Sequence, residues 1–200
     1  MNPRAVFIYG FAKGANLPLT MKAVNLAHIL HKGQERDDGT DYVEHVVDTC
    51  HILISHRITK DEVLAAAILH DVVEDGKYTL EEIAKNFNDR VANLVRKLTK
   101  TKNMGPEEYY RVIGDDIDAL AIKAADRTHN VSDMIKVFSL ERLKKYVEET
   151  EKYVLPQMKI ARKMNIEYGD LFVALALHIN SVLLPIKMII EIKEAEQAKA

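Results

Sequence analysis

Apolar residues recur along most of the chain at the three- and four-residue spacing of amphipathic helices. Runs that alternate apolar and polar residues, the signal for a strand, are nearly absent. The pattern therefore predicts an all-α fold of eight or more helices, at about 21–32, 41–56, 61–75, 80–87, 91–100, 107–113, 117–134, 140–153, 155–164 and 170–198. Residue types suited to helix starts predict caps at Thr20, Thr59 with Glu62, Thr79 with Glu82, Pro106 and Ser139.

The two ends of the chain differ from its middle. Residues 1–19 hold one short apolar run and are expected to form a strand or an irregular lead-in that packs on the domain. Residues 170–198 predict one long helix, kinked or broken near Pro185. Its apolar run is long enough for a membrane span, but four of its residues argue against one: His178, Asn180, Pro185 and Lys187. The run is therefore interpreted as core or as the contact of a possible homodimer.

Length and composition narrow the class of protein. Two hundred residues fit one domain over 1–200. A formal net charge of −2, from 28 basic and 30 acidic residues, argues neither for nucleic acid nor for an anionic membrane as a partner. Cys50 is the only cysteine, so no internal disulfide can form and a reducing, cytoplasmic compartment fits.

The central stretch, 65–76, begins apolar and ends in candidate ligands. Four polar residues follow the apolar stem within six positions: His70, Asp71, Glu74 and Asp75. On a helix their three- and four-residue spacing would bring them together in the last turn, with Gly76 as the stop. Three carboxylates at the negative end of a helix are electrostatically unfavourable. A divalent metal is the expected compensation.

Further ligands must come from other helices. Asp126 ends a second apolar stem, 117–125, and Asn130 lies one turn later on the same face. His45 opens a third helix. Two histidines and two carboxylates, with positions left for water, suit Mn²⁺, Fe²⁺ or Zn²⁺ better than Ca²⁺. Such a metal lowers the pKa of a bound water and neutralises a phosphoryl oxygen.

These motifs resemble those of HD-domain phosphohydrolases, and within that class the hydrolase domain of RelA/SpoT-type alarmone enzymes and the stand-alone small alarmone hydrolases. The resemblance runs from about residue 24 to residue 169. The segments that carry it are 31–36, 39–45, 66–75, 98–100 and 125–130, which include His-Asp-Val-Val-Glu-Asp and Ala-Asp-Arg-Thr-His-Asn. His-Asp alone is a weak motif, whereas the two longer runs are specific to this branch.

The resemblance implies a nucleotide hydrolase of the stringent response. It implies Mn²⁺ ligands at His45, His70, Asp71 and Asp126. Glu74 and Asp75 would orient or deprotonate the attacking water. The implied nucleotide contacts are Arg36, Asn130, Lys32 and Tyr42, with His31 and His129 as supporting or packing groups. The implied reaction removes the 3′-pyrophosphate of (p)ppGpp and gives GDP or GTP and pyrophosphate.

Three positions depart from the pattern of these enzymes. Asp41 and Val46 stand where proline is usual, and Asp37 replaces a residue that is often basic. Asp37 puts a negative charge in the expected diphosphate pocket, so an HD-type phosphohydrolase for another nucleotide stays open as an alternative. The other alternative is a non-catalytic metal-binding or signalling module, with 170–198 as its partner surface. Retention of Glu74 and Asp75 counts against that module.

Overall fold

The computed structural model describes residues 2–198, and the predicted all-α fold is confirmed there. Apart from one isolated antiparallel bridge between Glu35 and Asp41, the described residues form helices and connections. The helices are α1 (Pro3–Gly14), α2 (Pro18–Leu30), α3 (Tyr42–Ser55), α4 (Asp61–Leu69), α5 (Leu80–Asn86), α6 (Asp89–Leu98), α7 (Pro106–Gly114), α8 (Ile117–Val137), α9 (Leu140–Glu149), α10 (Leu155–Met164) and α11 (Ile166–Gln197).

The chain divides into two compact units, one ending at Asp126 and one beginning at Arg127. In the first unit, α4 packs against α2, α3 and α6, while α1 packs against α2 and α3. In the second, α11 packs against α9 and α10. The single domain over 1–200 stays a prediction.

The expected strand or irregular lead-in at the N-terminus is wrong, because α1 occupies most of it. The side chain of Asn2 accepts a hydrogen bond from the backbone N–H of Ala5 at 2.8 Å, with proline as the first helical residue. Ala5, Ile8 and Ala12 are fully buried, at the spacing of one helix face. The contiguous apolar run hid this face because Phe7 within it is half exposed.

Two predicted caps are also wrong. Helix α2 begins at Pro18, so Thr20 lies inside its first turn. The carboxylate of Asp61, the first residue of α4, accepts hydrogen bonds from the backbone N–H groups of Leu19 and Thr20 at 2.9 and 2.7 Å. Thr59 makes no capping box, and α4 starts without a side-chain cap. The backbone N–H groups at the start of α2 are thus hydrogen-bonded by an acid 41 residues away.

Helix α4 is the centre of the first unit, and it ends earlier than predicted. Its residues from Val63 to Leu69 are all buried, as the apolar pattern requires. The helix stops at Leu69, and residues 70–76 follow as consecutive turns. The N–H of Val72 bonds to the carbonyl of Leu69, and Gly76 takes a positive φ of 68°. The candidate ligands therefore leave the helix axis instead of completing its last turn.

The other predicted starts at Thr79, Pro106 and Ser139 are confirmed, including the reciprocal capping box of Thr79 with Glu82. A π-helical segment, Thr150–Val154, joins α9 to α10.

Helix α11 begins at Ile166, before the predicted residue 170, and it continues through Pro185. Of the two predicted alternatives at this proline, the break is therefore wrong, and the kink stays a prediction. Its buried residues lie on one helix face from Tyr168 to Ile190, three or four positions apart except for the adjacent Leu171 and Phe172. By length and composition alone α11 could also cross a membrane. Its interpretation as core or dimer contact stays a prediction.

Cys50 lies in the middle of α3 and is completely buried. Burial in apolar surroundings raises the pKa of its thiol well above the usual range. The side chain is therefore an uncharged part of the core.

Candidate metal centre

Four side chains from three elements of the first unit converge, and we call them the donor cluster: His45, His70, Asp71 and Asp126. His45 is in the first turn of α3, the pair His70–Asp71 follows α4, and Asp126 is on α8. Nε2 of His45 lies 3.2 Å from Oδ1 of Asp126 and 3.6 Å from Oδ2 of Asp71. Nε2 of His70 lies 3.2 Å from Oδ2 of Asp71 and 3.6 Å from Oδ1 of Asp126.

These separations fit a shared metal ion. Two ligand atoms that each lie about 2.1 Å from one ion, at angles of about 90–120°, are about 3.0–3.6 Å apart. The donor atoms of His45, His70 and Asp126 are all within 4.8 Å of one another, and all three residues are buried. The structure therefore brings together the four side chains that the resemblance implied as ligands.

His70 shows the strongest sign of a metal ligand. Its Nδ1 lies 2.8 Å from the carbonyl oxygen of Ala67, so Nδ1–H donates there and the lone pair of the neutral ring is on Nε2. That Nε2 is buried and makes no hydrogen bond of good geometry, although carboxylate oxygens lie near it. A cation placed between this nitrogen and the nearby carboxylates would satisfy it. A divalent metal therefore fits the donor cluster.

The charges of the donor cluster also favour a bound cation. Burial opposes a charge on His70, but Asp71 and Asp126 outweigh it and raise its pKa to about 10. Burial lowers the pKa of His45, which is therefore neutral. The nearby histidines overcome burial and hold the pKa of Asp71 below its usual range, while Lys123 and the histidines do the same for Asp126. In the metal-free protein one proton on His70 thus supplies the missing positive charge.

A row of rings supports one side of the cluster. Tyr42 donates a hydrogen bond from its hydroxyl to Oδ2 of Asp71 at 2.6 Å, and burial followed by Asp71 raises its pKa strongly. The ring of His31 stacks on Tyr42 at 4.9 Å between centroids, and Tyr42 meets His45 edge-on at 5.8 Å. His31 therefore supports Tyr42, in line with the packing role implied for it. The predicted role of Tyr42 in binding nucleotide remains a prediction.

The two acids after Asp71 are held by groups outside the cluster. Oε2 of Glu74 accepts the backbone N–H of Lys100 at 3.0 Å, and its side chain is exposed. Oδ2 of Asp75 accepts from Nε2 of Gln34 at 2.9 Å and lies 3.6 Å from Nζ of Lys77. Both carboxylates are oriented without being part of the donor cluster. This arrangement suits groups that act on water or substrate.

The half-buried Lys123 and the buried Tyr109, both beside Asp126, were missed by the sequence analysis. Nζ of Lys123 lies 2.8 Å from Oδ2 of Asp126 and 5.5 Å from the ring centroid of Tyr109. Tyr109 donates its hydroxyl to the carbonyl of Leu98 at 2.6 Å. Burial, Asp126 and Glu74 raise its pKa to about 12 against the opposing effect of Lys123. The three-residue spacing of Lys123 and Asp126 was a readable signal, whereas the position of Tyr109 was not.

The predicted nucleotide contacts are not members of the donor cluster, although Tyr42 donates a hydrogen bond to Asp71, which is one. Arg36 is half-buried in the 31–41 loop, where its N–H bonds to the carbonyl of Thr40 at 2.9 Å. Lys32 and Asp37 are exposed in the same loop. Asn130 is half-buried on α8, in the second unit. Their contacts with substrate remain predictions.

The fold and the donor cluster together define a class. A family model described as the HD domain matches residues 23–153, more than half of the chain. The chain belongs to the HD-domain family. The buried His-Asp donors and the all-helical fold are what that membership requires, and a divalent metal is implied.

More particular similarities are to proteins named as guanosine-3′,5′-bis(diphosphate) 3′-pyrophosphohydrolases or as a GTP pyrophosphokinase. A Drosophila melanogaster protein named guanosine-3′,5′-bis(diphosphate) 3′-pyrophosphohydrolase MESH1 is 36% identical over 122 residues, which cover 57% of this chain and 68% of that protein. A Mycobacterium leprae protein named probable GTP pyrophosphokinase is 34% identical over 157 residues, 73% of this chain but only 19% of that protein. The chain thus spans about a fifth of that longer relative.

A solved structure is similar over most of the fold. It is described as that of a metazoan ortholog of SpoT that hydrolyses ppGpp and plays a role in starvation responses. The TM-score is 0.66 at 30% sequence identity, and the match covers 82% of this chain and 93% of that one.

Proposed function

We propose that this chain hydrolyses the 3′-pyrophosphate of (p)ppGpp to give GDP or GTP and pyrophosphate, as a cytoplasmic enzyme of the stringent response. The observation that carries the proposal is a metal-type donor cluster followed directly by two oriented acids outside it, Glu74 and Asp75. Relatives named for this activity, and the ppGpp-hydrolysing structural neighbour, support the same reaction.

The roles divide between the donor cluster and the acids. His45, His70, Asp71 and Asp126 would hold the ion, with Mn²⁺ as the proposed metal and Fe²⁺ or Zn²⁺ as alternatives. When bound, the metal would make water acidic enough to react near neutral pH and would neutralise charge on a phosphoryl oxygen. Glu74, fixed through Oε2, would take the proton of the attacking water.

The remaining groups would bind and orient the substrate. Asp75 links the turn to the 31–41 loop through Gln34 and so would keep that loop in place. Arg36 and Lys32 on the loop would contact phosphates, with Tyr42 and Asn130 as further contacts to the nucleotide. The proposal includes no nucleic acid and no membrane as a partner. It does include a homodimer that forms through α11.

Metal binding is expected to release about one proton at neutral pH. His70 has a pKa near 10 in the metal-free protein and must lose its proton to become a ligand, whereas His45 is already neutral. The affinity for Mn²⁺ should therefore rise with pH, by up to about tenfold per pH unit below the pKa of His70. Titration calorimetry in buffers of different ionisation enthalpy measures the released proton. An affinity independent of pH between 6 and 8 would show that His70 is neutral without metal.

A substitution at Asp37 tests whether the 31–41 loop contacts the substrate. Asp37→Lys is expected to lower KM for a pyrophosphorylated nucleotide by about two- to fivefold at low salt, because it replaces a negative charge near Arg36 with a positive one. The gain should shrink as salt rises, since Asp37 is exposed. Glu81→Lys makes the same change in net charge on exposed α5 and serves as the control. An unchanged KM at low salt would place Asp37 away from the pocket.

A nucleotide panel tests the proposed reaction itself. The protein is treated with chelator, reloaded with Mn²⁺, and supplied with ppGpp, pppGpp, nucleoside monophosphates and dNTPs. Pyrophosphate release from ppGpp is the expected result. Asp37 puts a negative charge beside Arg36, so a different nucleotide remains the alternative substrate. Orthophosphate release from such a nucleotide would identify the alternative HD-type phosphohydrolase. Turnover of none of them would support a non-catalytic module.

A further inference from the structure

The two carboxylate oxygens of Asp126 have different neighbours, and one of these neighbours is Lys123. Its Nζ lies 2.8 Å from Oδ2. The other oxygen, Oδ1, lies 3.2 Å from Nε2 of His45 and 3.6 Å from Nε2 of His70. Only 16% of the Lys123 side chain and 4% of the Asp126 side chain are exposed. The carboxylate thus presents one oxygen to the donor cluster and the other to a nearly buried ammonium group.

The lysine is itself held in place. Nζ of Lys123 lies 5.5 Å from the ring centroid of Tyr109, a residue with only 4% exposure. The Tyr109 hydroxyl bonds to the carbonyl of Leu98 at the end of α6, so the ring cannot move independently of that helix. Backbone on the same segment, the N–H of Lys100, holds Glu74. One small set of contacts therefore orients both a candidate ligand and the candidate base.

We propose that Lys123 is a positioning residue that keeps Asp126 a one-oxygen ligand. Carboxylates bind metals through either one oxygen or both, so an oxygen withheld from the metal leaves room for another group. Lys123 would withhold Oδ2 from the ion and so leave room there for water or a phosphoryl oxygen. This inference rests on the proposed function for its effect on turnover, but not for its effect on metal binding.

The charge of Lys123 has a second consequence. A divalent metal would balance the candidate ligand carboxylates Asp71 and Asp126, and Lys123 adds a further positive charge 2.8 Å from Oδ2 of Asp126. That positive charge favours an anionic substrate and opposes the metal. Loss of the lysine should therefore tighten metal binding and slow turnover, opposite to the usual parallel loss when a supporting residue is removed.

Lys123→Met in the full-length protein tests this separation. We expect Mn²⁺ to bind several-fold more tightly, the water-proton relaxation enhancement of bound Mn²⁺ to fall, and kcat for ppGpp to fall by about 10–100-fold. Relaxation enhancement reports exchangeable water on the ion, which a merely structural lysine would not change. Lys123→Arg retains the cation and should restore all three values.

The chain offers a matched control in Lys97. Its side chain is 15% exposed and its Nζ lies 3.9 Å from Oδ2 of Asp116, so Lys97→Met also removes a nearly buried lysine from an ion pair. It should leave Mn²⁺ affinity, relaxation enhancement and kcat unchanged. Should Lys123→Met fail to fold, Lys123→Gln also removes the cation and carries the same three expectations.

Two results would overturn the inference. One is Mn²⁺ binding that weakens in Lys123→Met while kcat per bound ion is unchanged. The other is relaxation enhancement equal to that of the unsubstituted protein. If that protein does not hydrolyse ppGpp, the proposed function fails, but affinity and relaxation still decide whether Lys123 controls Asp126.

Discussion

Glu74→Gln is expected to lower kcat for ppGpp by about 10²–10⁴-fold, the usual range for loss of a general base. Glutamine has nearly the same size, and its carbonyl oxygen can still accept the N–H of Lys100 that now bonds to Oε2. What it lacks is the capacity to take a proton from water. Mn²⁺ affinity and melting temperature should stay close to those of the unsubstituted protein, because Glu74 is exposed and outside the donor cluster.

Steady-state kinetics with metal content measured on the same samples would check this expectation. Glu81→Gln, an exposed acid in the first turn of α5, is the control for the loss of one negative charge. If Glu74→Gln lost metal but kept its activity per bound ion, Glu74 would be a ligand and the proposed division of roles would be wrong.

His70→Ala is expected to reduce Mn²⁺ affinity by more than about 100-fold, since even residues that only support ligands cost 10–100-fold. Activity should fall with metal occupancy, in contrast to Glu74→Gln. The substitution also leaves Asp71 and Asp126 without the imidazolium that balances them in the metal-free protein. The melting temperature of that form should therefore fall as well.

Equilibrium dialysis with Mn²⁺ and thermal melts with and without chelator would measure both effects. His28→Ala is a suitable control, because Nδ1 of His28 also lies 2.9 Å from a backbone carbonyl, that of Val24 in its own helix, yet His28 is outside the donor cluster. Retention of Mn²⁺ affinity by His70→Ala would remove His70 from the ligand set.

The sequence was sufficient to name the candidate ligands that the fold brings together but not to define their local backbone. His70 and Asp126 each end an apolar stretch, and the period of buried residues is visible without any structure. The end of α4 at Leu69 could not be predicted from the sequence. The residues that follow it up to Asp75 favour or tolerate a helix, with the exception of β-branched Val72 and Val73. The turns depend on long-range packing, which a local propensity does not contain.

Contacts between distant segments account for the errors at the predicted caps and at Tyr109, and a different cause applies to α1. Thr20 and Thr59 are residue types that often cap helices, but the backbone N–H groups at the start of α2 bond to the carboxylate of Asp61 instead. Nothing in the local sequence distinguishes a cap by a nearby threonine from a cap by a distant acid. Tyr109 is similar: its hydroxyl reaches Leu98 across a loop, beside a lysine on a third helix. Helix α1 was missed because its buried face consists of only three residues among exposed apolar ones.

The burial of Cys50 has a practical use in spectroscopy. A thiol that is fully enclosed in α3, with its pKa raised by that enclosure, reacts poorly with maleimides and methanethiosulfonates while the protein stays folded. Since the sequence has no other cysteine, one introduced at an exposed position would be the sole rapidly labelled site. A nitroxide at Lys32, for example, would report the distance from the 31–41 loop to bound Mn²⁺ without first removing the native thiol.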